Sequence, residues 1–280
     1  MLTVTSPLQN AQIELALLTE AIFLKYGYDF RNYSEAHLRR RIKHALNKLA
    51  IPNISALQHA VLYDKTCFEL LLAELSINVT EMFRDPSFYR TLREKVLPIL
   101  KTYPFVKIWH AGCSSGEEVY SMAILLKEEG LYDRCQIYAT DFNLRVLKKA
   151  KEAIFPLELI KEYTTNYLAA GGRQEFSDYY IAAYDSIILN KELRERIVFS
   201  DHNLATDTVF GEMHMIVCRN VMIYFDRQLQ DRAVKLFADS LCYRGLLCLG
   251  SKESLRFNAH VDLFEPLDEA EKIYKKVVRI

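Results

Sequence analysis

Gly112 and Gly116 frame a short loop, Gly112-Cys-Ser-Ser-Gly116, between a strand-like run, Val106–His110, and a helical run that opens Glu117-Glu118. Glycines at a strand-to-helix turn let backbone approach a ligand closely, and an acid at the end of the next strand is placed to bind ribose hydroxyls. That acid is Asp141, 25 residues beyond Gly116. The full G-x-G-x-x-G of dinucleotide-binding turns is absent. Two carboxylates at the helix start would repel the pyrophosphate that a helix N-terminus otherwise attracts. They suit a cationic ligand, such as a sulfonium amino acid with its ammonium group. The spacing alone leaves open which of Glu117 and Glu118 makes the main contact. Metal and redox chemistry find no support. Cys67, Cys113, Cys135, Cys218, Cys242 and Cys248 form no C-x-x-C, and the seven histidines form no H-E-x-x-H. The thiols read as small buried hydrophobes in a reducing compartment.

The loop needs a scaffold, and the chain supplies one in its second part. Strand-like runs at Val106–His110, Gln136–Ala139, Ile197–Phe199, Met215–Cys218 and Leu246–Leu249 alternate with helical runs at 117–129, 143–153 and 227–241. Such alternation predicts an α/β fold with a doubly wound, largely parallel sheet covered on both faces. Lys275–Ile280 is read as an added edge strand. The stretch from about 156 to 196, with Gly171-Gly172 and Tyr179-Tyr180, is too long for a connector and reads as an inserted subdomain. The first part is helical in pattern. Ile13, Ala16, Leu17, Ala21 and Leu24 recur at helical spacing before Gly27, and Leu38, Ile42, Ala45, Leu46 and Leu49 form a second stripe capped by Ser34. Ser55-Ala-Leu-Gln58 has capping-box spacing, and Asp85-Pro86 reads as an N-cap with proline at the first helical position. The predicted domains are a helical one over 1–77 and an α/β one over 78–280.

Composition bounds the function. The chain has 280 residues, half of them apolar, with 36 Lys+Arg against 36 Asp+Glu. Zero net charge argues against bulk attraction to nucleic acid or anionic membrane. No apolar run approaches the roughly 18 residues of a membrane span, and the N-terminus lacks a signal peptide's basic start, so a cytoplasmic protein is expected.

Read together, the segments acquire a resemblance. Asn78-Val-Thr-Glu-Met-Phe-Arg84-Asp, Trp109-His-Ala-Gly-Cys-Ser-Ser-Gly-Glu-Glu-Val-Tyr-Ser121, Ala139-Thr-Asp141, His202-Asn-Leu204 and Cys218-Arg-Asn-Val-Met-Ile-Tyr-Phe-Asp226 occur in this order. They resemble the chemotaxis receptor glutamate methyltransferase family (CheR type) over nearly the whole chain. The resemblance implies methyl transfer from S-adenosylmethionine to glutamate side chains of chemoreceptors, giving methyl esters and S-adenosylhomocysteine. It places Asn78, Thr80 and Arg84 over the cofactor, Glu117 or Glu118 at its amino-acid end and Asp141 at its ribose. Asn203 and Leu204 would flank the adenine, and Arg219 and Asn220 would line the pocket. Tyr224 would face the methyl group, with Arg84 orienting the incoming carboxylate. A glutamate acceptor, with an ordinary pKa of about 4.3, is already ionised and needs no general base.

A second feature is electrostatic. Arg39, Arg40, Arg41, Lys43 and Lys48 lie between His37 and Lys48 with no acid among them. Arg39, Lys43 and Asn47 share one helix face, away from the apolar stripe. By resemblance this helix meets the acidic methylation region of the receptor, with Arg39, Arg40 and Lys43 as docking residues. One family feature is missing. Members that bind a C-terminal receptor pentapeptide use a β-subdomain with a Gly-x-Gly turn, whereas this chain has Gly171-Gly172 followed by Arg-Gln-Glu-Phe. The rival to an enzyme is a non-catalytic S-adenosylmethionine sensor, which methyl incorporation into an acidic protein would separate from it.

Overall fold

The computed structural model describes residues 7–76 and 80–279. Two compact units emerge, one from residues 1–77 and 224–232 and the other from 78–223 and 233–280.

In the first unit, α1 (Pro7–Tyr26) buries Leu15, Leu18 and Ile22 and ends at Gly27, whose φ of 77° carries the chain out of the helix. The stripe of α2 (Glu35–Leu49) turns Leu38, Ile42 and Ala45 inward. Ser34 holds the cap position without a side-chain cap, and its backbone N–H donates to the Tyr224 carbonyl at 2.8 Å. Helix α3 (Ile54–Tyr63) is capped by Asn53, whose Oδ1 accepts from Ala56 N–H at 2.8 Å. The capping box expected at Ser55 does not form, because the helix starts earlier, at Asn53, which leaves Ser55 inside its first turn, where its Oγ donates to Glu14 at 2.6 Å. Asp64 caps α4 (Lys65–Leu75), and Phe68 of that helix stacks on Tyr26. Residues 224–226 are laced to the turn before α2. Tyr33 and Phe225 form a β-bridge, and Asp226 N–H donates to Asn32 O at 2.9 Å.

The second unit is built on a seven-stranded sheet. Its strands are β1 (Val106–Ala111), β2 (Cys135–Asp141), β6 (Ile197–Asp201), β7 (Met213–Cys218), β8 (Leu241–Leu249), β9 (Phe264–Asp268) and β10 (Ile273–Lys276). The order is β6-β2-β1-β7-β8-β10-β9. The first five are mutually parallel, and β10 and β9 add antiparallel pairings. The C-terminal strand is therefore not the edge. It sits between β8 and β9, the latter missed in the sequence because Phe264-Glu-Pro-Leu-Asp has little apolar alternation. Central strands read as apolar runs because both faces are covered. Ile108, Ile137, Met215, Val217, Leu246 and Cys248 pack with Val119, Met122, Ala123 and Leu126 of α7 (Glu117–Glu128). Chain order reverses at β1, with β2 on one side and β7 on the other, so ligands are favoured at the carboxyl ends around that point.

Short helices α5 (Pro86–Thr91) and α6 (Leu97–Leu100) precede β1, and α8 (Leu144–Glu152), capped by Asn143, follows β2. The insertion holds α9 (Ile160–Ala169) and a separate antiparallel sheet of β3 (Ile154–Pro156), β4 (Tyr180–Ala183) and β5 (Ser186–Leu189), ordered β3-β5-β4. Gly172 is a packing requirement, since a Cβ there would lie 2.2 Å from the Tyr167 ring. The Tyr167 hydroxyl in turn reaches Glu128 of α7, which Tyr179 and Arg93 also engage. Helix α10 (Arg227–Ser240) precedes β8.

Candidate functional site

Three loops at the carboxyl ends of β1, β2 and β7 carry the candidate residues. The loop after β1 turns tightly, with φ of 80° at Gly112, 51° at Ser114 and 94° at Gly116. Both glycines are sterically required as well, since a Cβ at Gly112 would lie 2.5 Å from Val221 Cγ2 and one at Gly116 3.0 Å from Ala150 Cβ. Asp141 holds this loop. Its Oδ2 accepts from Ser114 N–H at 3.0 Å and its Oδ1 from Asn143 N–H at 2.9 Å. Burial raises the Asp141 pKa above the usual carboxylate value despite those amides.

The two glutamates have different surroundings. Glu117 is 6 % exposed, and its carboxylate accepts from Ser115 Oγ at 2.8 and 3.0 Å. Among the described residues no Lys, Arg or His forms an ion pair with it, and burial pushes its pKa up to about 7. Glu118 is already committed. Its Oε2 accepts from Arg219 at 2.8 Å and its Oε1 lies 3.2 Å from His110 Nδ1. Burial would raise the Glu118 pKa, but the Arg219 and His110 charges and hydrogen bonds hold it below the ordinary value.

Arg219 is a network residue. Its side chain is 2 % exposed, its second terminal nitrogen donates to Asp85 Oδ2 at 2.6 Å, and Cζ sits 4.2 Å from the Phe88 ring centroid. Asp85 consequently departs from the expected N-cap geometry. It adopts φ 57° and gives no side-chain cap to α5, because its carboxylate is drawn to Arg219. Arg84, between left-handed Phe83 and Asp85, reaches to 4.0 Å from Glu81.

The loop after β7 is fixed by a residue that sequence reading passed over. Buried Glu253 accepts N–H groups from Gly250 at 2.6 Å, Asn220 and Val221 at 3.0 Å and Ile223 at 3.3 Å. Its only sequence signal is an acid just past the apolar end of a strand, where a charge has no reason to be buried unless it holds backbone. Asn220 adopts φ 60° within this cage.

Other expected residues fall elsewhere. Asn203 follows β6 and closes its own turn, its Oδ1 accepting from Ala205 N–H at 3.0 Å, with Leu204 buried beside it. His202 is structural, its ring against Trp109 and its Nε2 at 3.1 Å from Thr208 O. Thr80 lies on the segment leading to Arg84, and Asn78 lies outside the described residues. Tyr224 belongs to the first unit, with its ring centroid 4.4 Å from that of His37. Burial and the charges of Arg40 and Arg41 lower the His37 pKa to about 4. The basic helix is less free than its sequence implies. Arg39 pairs with Glu35 at 2.7 Å, while Arg41 and Lys48 engage Glu74, leaving Arg40 and Lys43 exposed.

The donor set fits S-adenosylmethionine. A buried carboxylate without an ion-pair partner among the described residues, felt only at longer range by Lys149, stands at the helix start, and a second stands at the end of β2, where a diol is expected. Among the described residues no cluster of His, Cys, Asp and Glu could hold a metal ion, and no helix is long and apolar enough to cross a membrane.

Comparison with known proteins shows the family. Residues 78–273 match the family model described as CheR methyltransferase, SAM binding domain, and residues 13–76 match the CheR methyltransferase, all-alpha domain. A Pseudomonas putida protein named as methyltransferase Cher3 is 54 % identical over 268 residues, covering 96 % of this chain and 98 % of its own. A Listeria innocua chemotaxis protein methyltransferase is 30 % identical, covering 85 % of this chain and 88 % of its own. A chemotaxis protein methyltransferase 2 of Vibrio cholerae is 33 % identical over 67 % of this chain and 66 % of its own.

Proposed function

This chain belongs to the CheR methyltransferase family and is an S-adenosylmethionine-dependent methyltransferase, and from that premise we propose that it methylates glutamate carboxylates on the cytoplasmic helices of chemoreceptors. The observation that carries the reading is Glu117, a buried carboxylate that forms no ion pair among the described residues. The cofactor supplies an electrophilic methyl on a sulfonium. Glu117 accepts its ammonium group, and Asp141, already oriented by Ser114 and Asn143, accepts its ribose hydroxyls. Asn203 and Leu204 flank the adenine, Asn220 lines the pocket from the loop after β7, and Thr80 covers it.

The acceptor is anionic before it arrives, so the protein has no proton to remove. Its task is alignment in a water-poor site, because attack on a sulfonium cancels charge and water stabilises the separated charges. Arg84 orients the carboxylate and Tyr224 fixes it by hydrogen bonding. Arg84 must not hold too tightly, since a strong ion pair stabilises the ground state as much as the transition state. On α2, exposed Arg40 and Lys43, with Arg39 beside them, attract the acidic segment that presents the glutamate.

The test is transfer of labelled methyl from S-adenosylmethionine to membranes bearing the host's receptors. Label released as methanol by mild alkali identifies a carboxyl methyl ester. Tight S-adenosylhomocysteine binding without any alkali-labile label would instead make this a sensor.

A further inference from the structure

Glu118 and Glu117 are neighbours in sequence at one helix start, yet of the two only Glu118 forms an ion pair among the described residues. We propose that Glu118 and Arg219 are positioning residues, a bracket centred on the buried Arg219 guanidinium that fixes the backbone on either side of Arg84 rather than contacting the cofactor. The inference rests on the reading in which Arg84 orients the acceptor carboxylate.

The geometry runs through one guanidinium. Arg219 reaches Glu118 at 2.8 Å, Asp85 at 2.6 Å and the Arg84 carbonyl at 3.4 Å. Behind it, His110 on β1 holds the other Glu118 oxygen at 3.2 Å. The bracket thus joins the central strand and the start of α7 to the Arg84 turn. On the far side of Arg84, Phe83 N–H donates to Ser121 Oγ at 2.8 Å, with its ring fully buried.

Both neighbours of Arg84 need such holding. Phe83 and Asp85 have φ of 53° and 57°, a conformation that L-residues keep only where surroundings over-determine it. Asp85 gives up the capping of α5 to reach Arg219. The Arg219 Nε is buried and has no partner among the described residues, so the guanidinium forgoes one hydrogen bond to span both acids. Fold stability is a poor explanation for this arrangement. A buried ion-pair network is often no better than apolar packing of equal volume, and its use lies in fixing one conformation. Lysine could not replace Arg219, because a point charge lacks the fork that joins two acids and a carbonyl.

Three variants test the bracket in the full chain: Glu118→Gln, Arg219→Lys and Glu117→Gln. Calorimetry gives their S-adenosylhomocysteine affinity, and ¹⁵N relaxation of the Arg84 Nε–Hε group, assigned by its loss in Arg84→Lys, gives the order of that side chain. Glu118→Gln and Arg219→Lys should keep Kd within about twofold while the Arg84 order parameter falls below about 0.6. Glu117→Gln should do the reverse. Arg219→Lys keeps the buried charge, so the test survives a folding failure of Glu118→Gln. In methyl transfer, kcat should fall tenfold or more, and adding either change to Arg84→Ala should cost nothing further. Loss of affinity in Glu118→Gln as large as in Glu117→Gln, or an unchanged Arg84 order parameter, overturns the proposal. Failure of the parent enzyme to methylate receptors would overturn the acceptor reading only, since affinity and relaxation are measured without transfer.

Discussion

Acidification should weaken S-adenosylmethionine binding through one identifiable group. Glu117 has a pKa of about 7 in the ligand-free protein because burial penalises its charge, and the Ser115 hydroxyl offsets only part of that. On the proposed reading the ligand's ammonium group requires the carboxylate. If only the ionised form binds, apparent Kd scales as one plus the ratio of protonated to ionised Glu117. Between pH 7 and pH 5.5 that factor grows from about 2 to about 33, a roughly 16-fold loss or about 1.6 kcal/mol. Asp141, also raised by burial, titrates in the same sense and can only steepen the fall. The ligand's own α-amino group, with a pKa near 7.7–8.0, stays largely charged across this window and does not confuse the sign. Calorimetry at several pH values gives the slope, and repeating it at pH 6.5 in buffers of different ionisation enthalpy counts protons. About three-quarters of a proton should leave on binding at that pH. Glu117→Gln should bind weakly with a flattened response. A parent affinity that stays level from pH 7 to 5.5, or a Gln variant that keeps the parental slope, would refute the assignment of Glu117 to the ammonium group.

The same burial implies a trade between stability and binding. A carboxylate whose folded pKa is raised opposes folding when charged, so Glu117→Gln should stabilise the ligand-free protein at pH 8 by on the order of 2–3 kcal/mol, visible as a higher Tm that vanishes near pH 4.5. Asp141→Ala should weaken S-adenosylhomocysteine by at least tenfold, because a hydrogen bond to a charged acceptor contributes about 1.5–3 kcal/mol and the Ser114 loop also loses its anchor. Tyr224→Phe should lower kcat for the protein acceptor about tenfold or more with cofactor Kd unchanged, measured by methyl incorporation and calorimetry in parallel. Charge reversal at Arg40 and Lys43 should reduce kcat/KM for receptor and flatten its salt dependence, leaving cofactor Kd intact, since rim charges act on association rate.

How much of this was legible in the sequence depends on which residues carry their own context. The strand, glycine loop and helix at 106–128 could be placed because apolar runs and glycines have local causes, and the structure keeps them at β1, Gly112, Gly116 and α7. Asp141 was marked by its place at the end of β2. The sequence could not separate Glu117 from Glu118. Adjacent helix residues point about 100° apart, and which of them meets Arg219 depends on β7, about a hundred positions later. Glu253 was invisible for the same reason, since all its partners are backbone amides of a loop around thirty residues upstream and at Gly250.

Two local expectations failed, for different reasons. Ser34 and Asp85 both stand at helix starts, where their side chains should cap. Ser34 makes no side-chain cap, and its backbone N–H, which does not compete with its hydroxyl, donates to the Tyr224 carbonyl; Asp85 turns its carboxylate to Arg219. At Asp85 a cap worth about 1 kcal/mol gives way to a stronger, charge-assisted tertiary bond. Both positions adjoin residues proposed for the reaction. Ser34 begins the helix that carries Arg40 and Lys43 and holds the backbone of Tyr224, while Asp85 holds that of Arg84. A local rule broken in favour of a distant contact marks where backbone placement is worth more than helix stability. By that criterion the Arg84 backbone is a point where this fold gives up local helix stability for placement, which suits the proposed reaction, in which alignment matters and no proton is transferred.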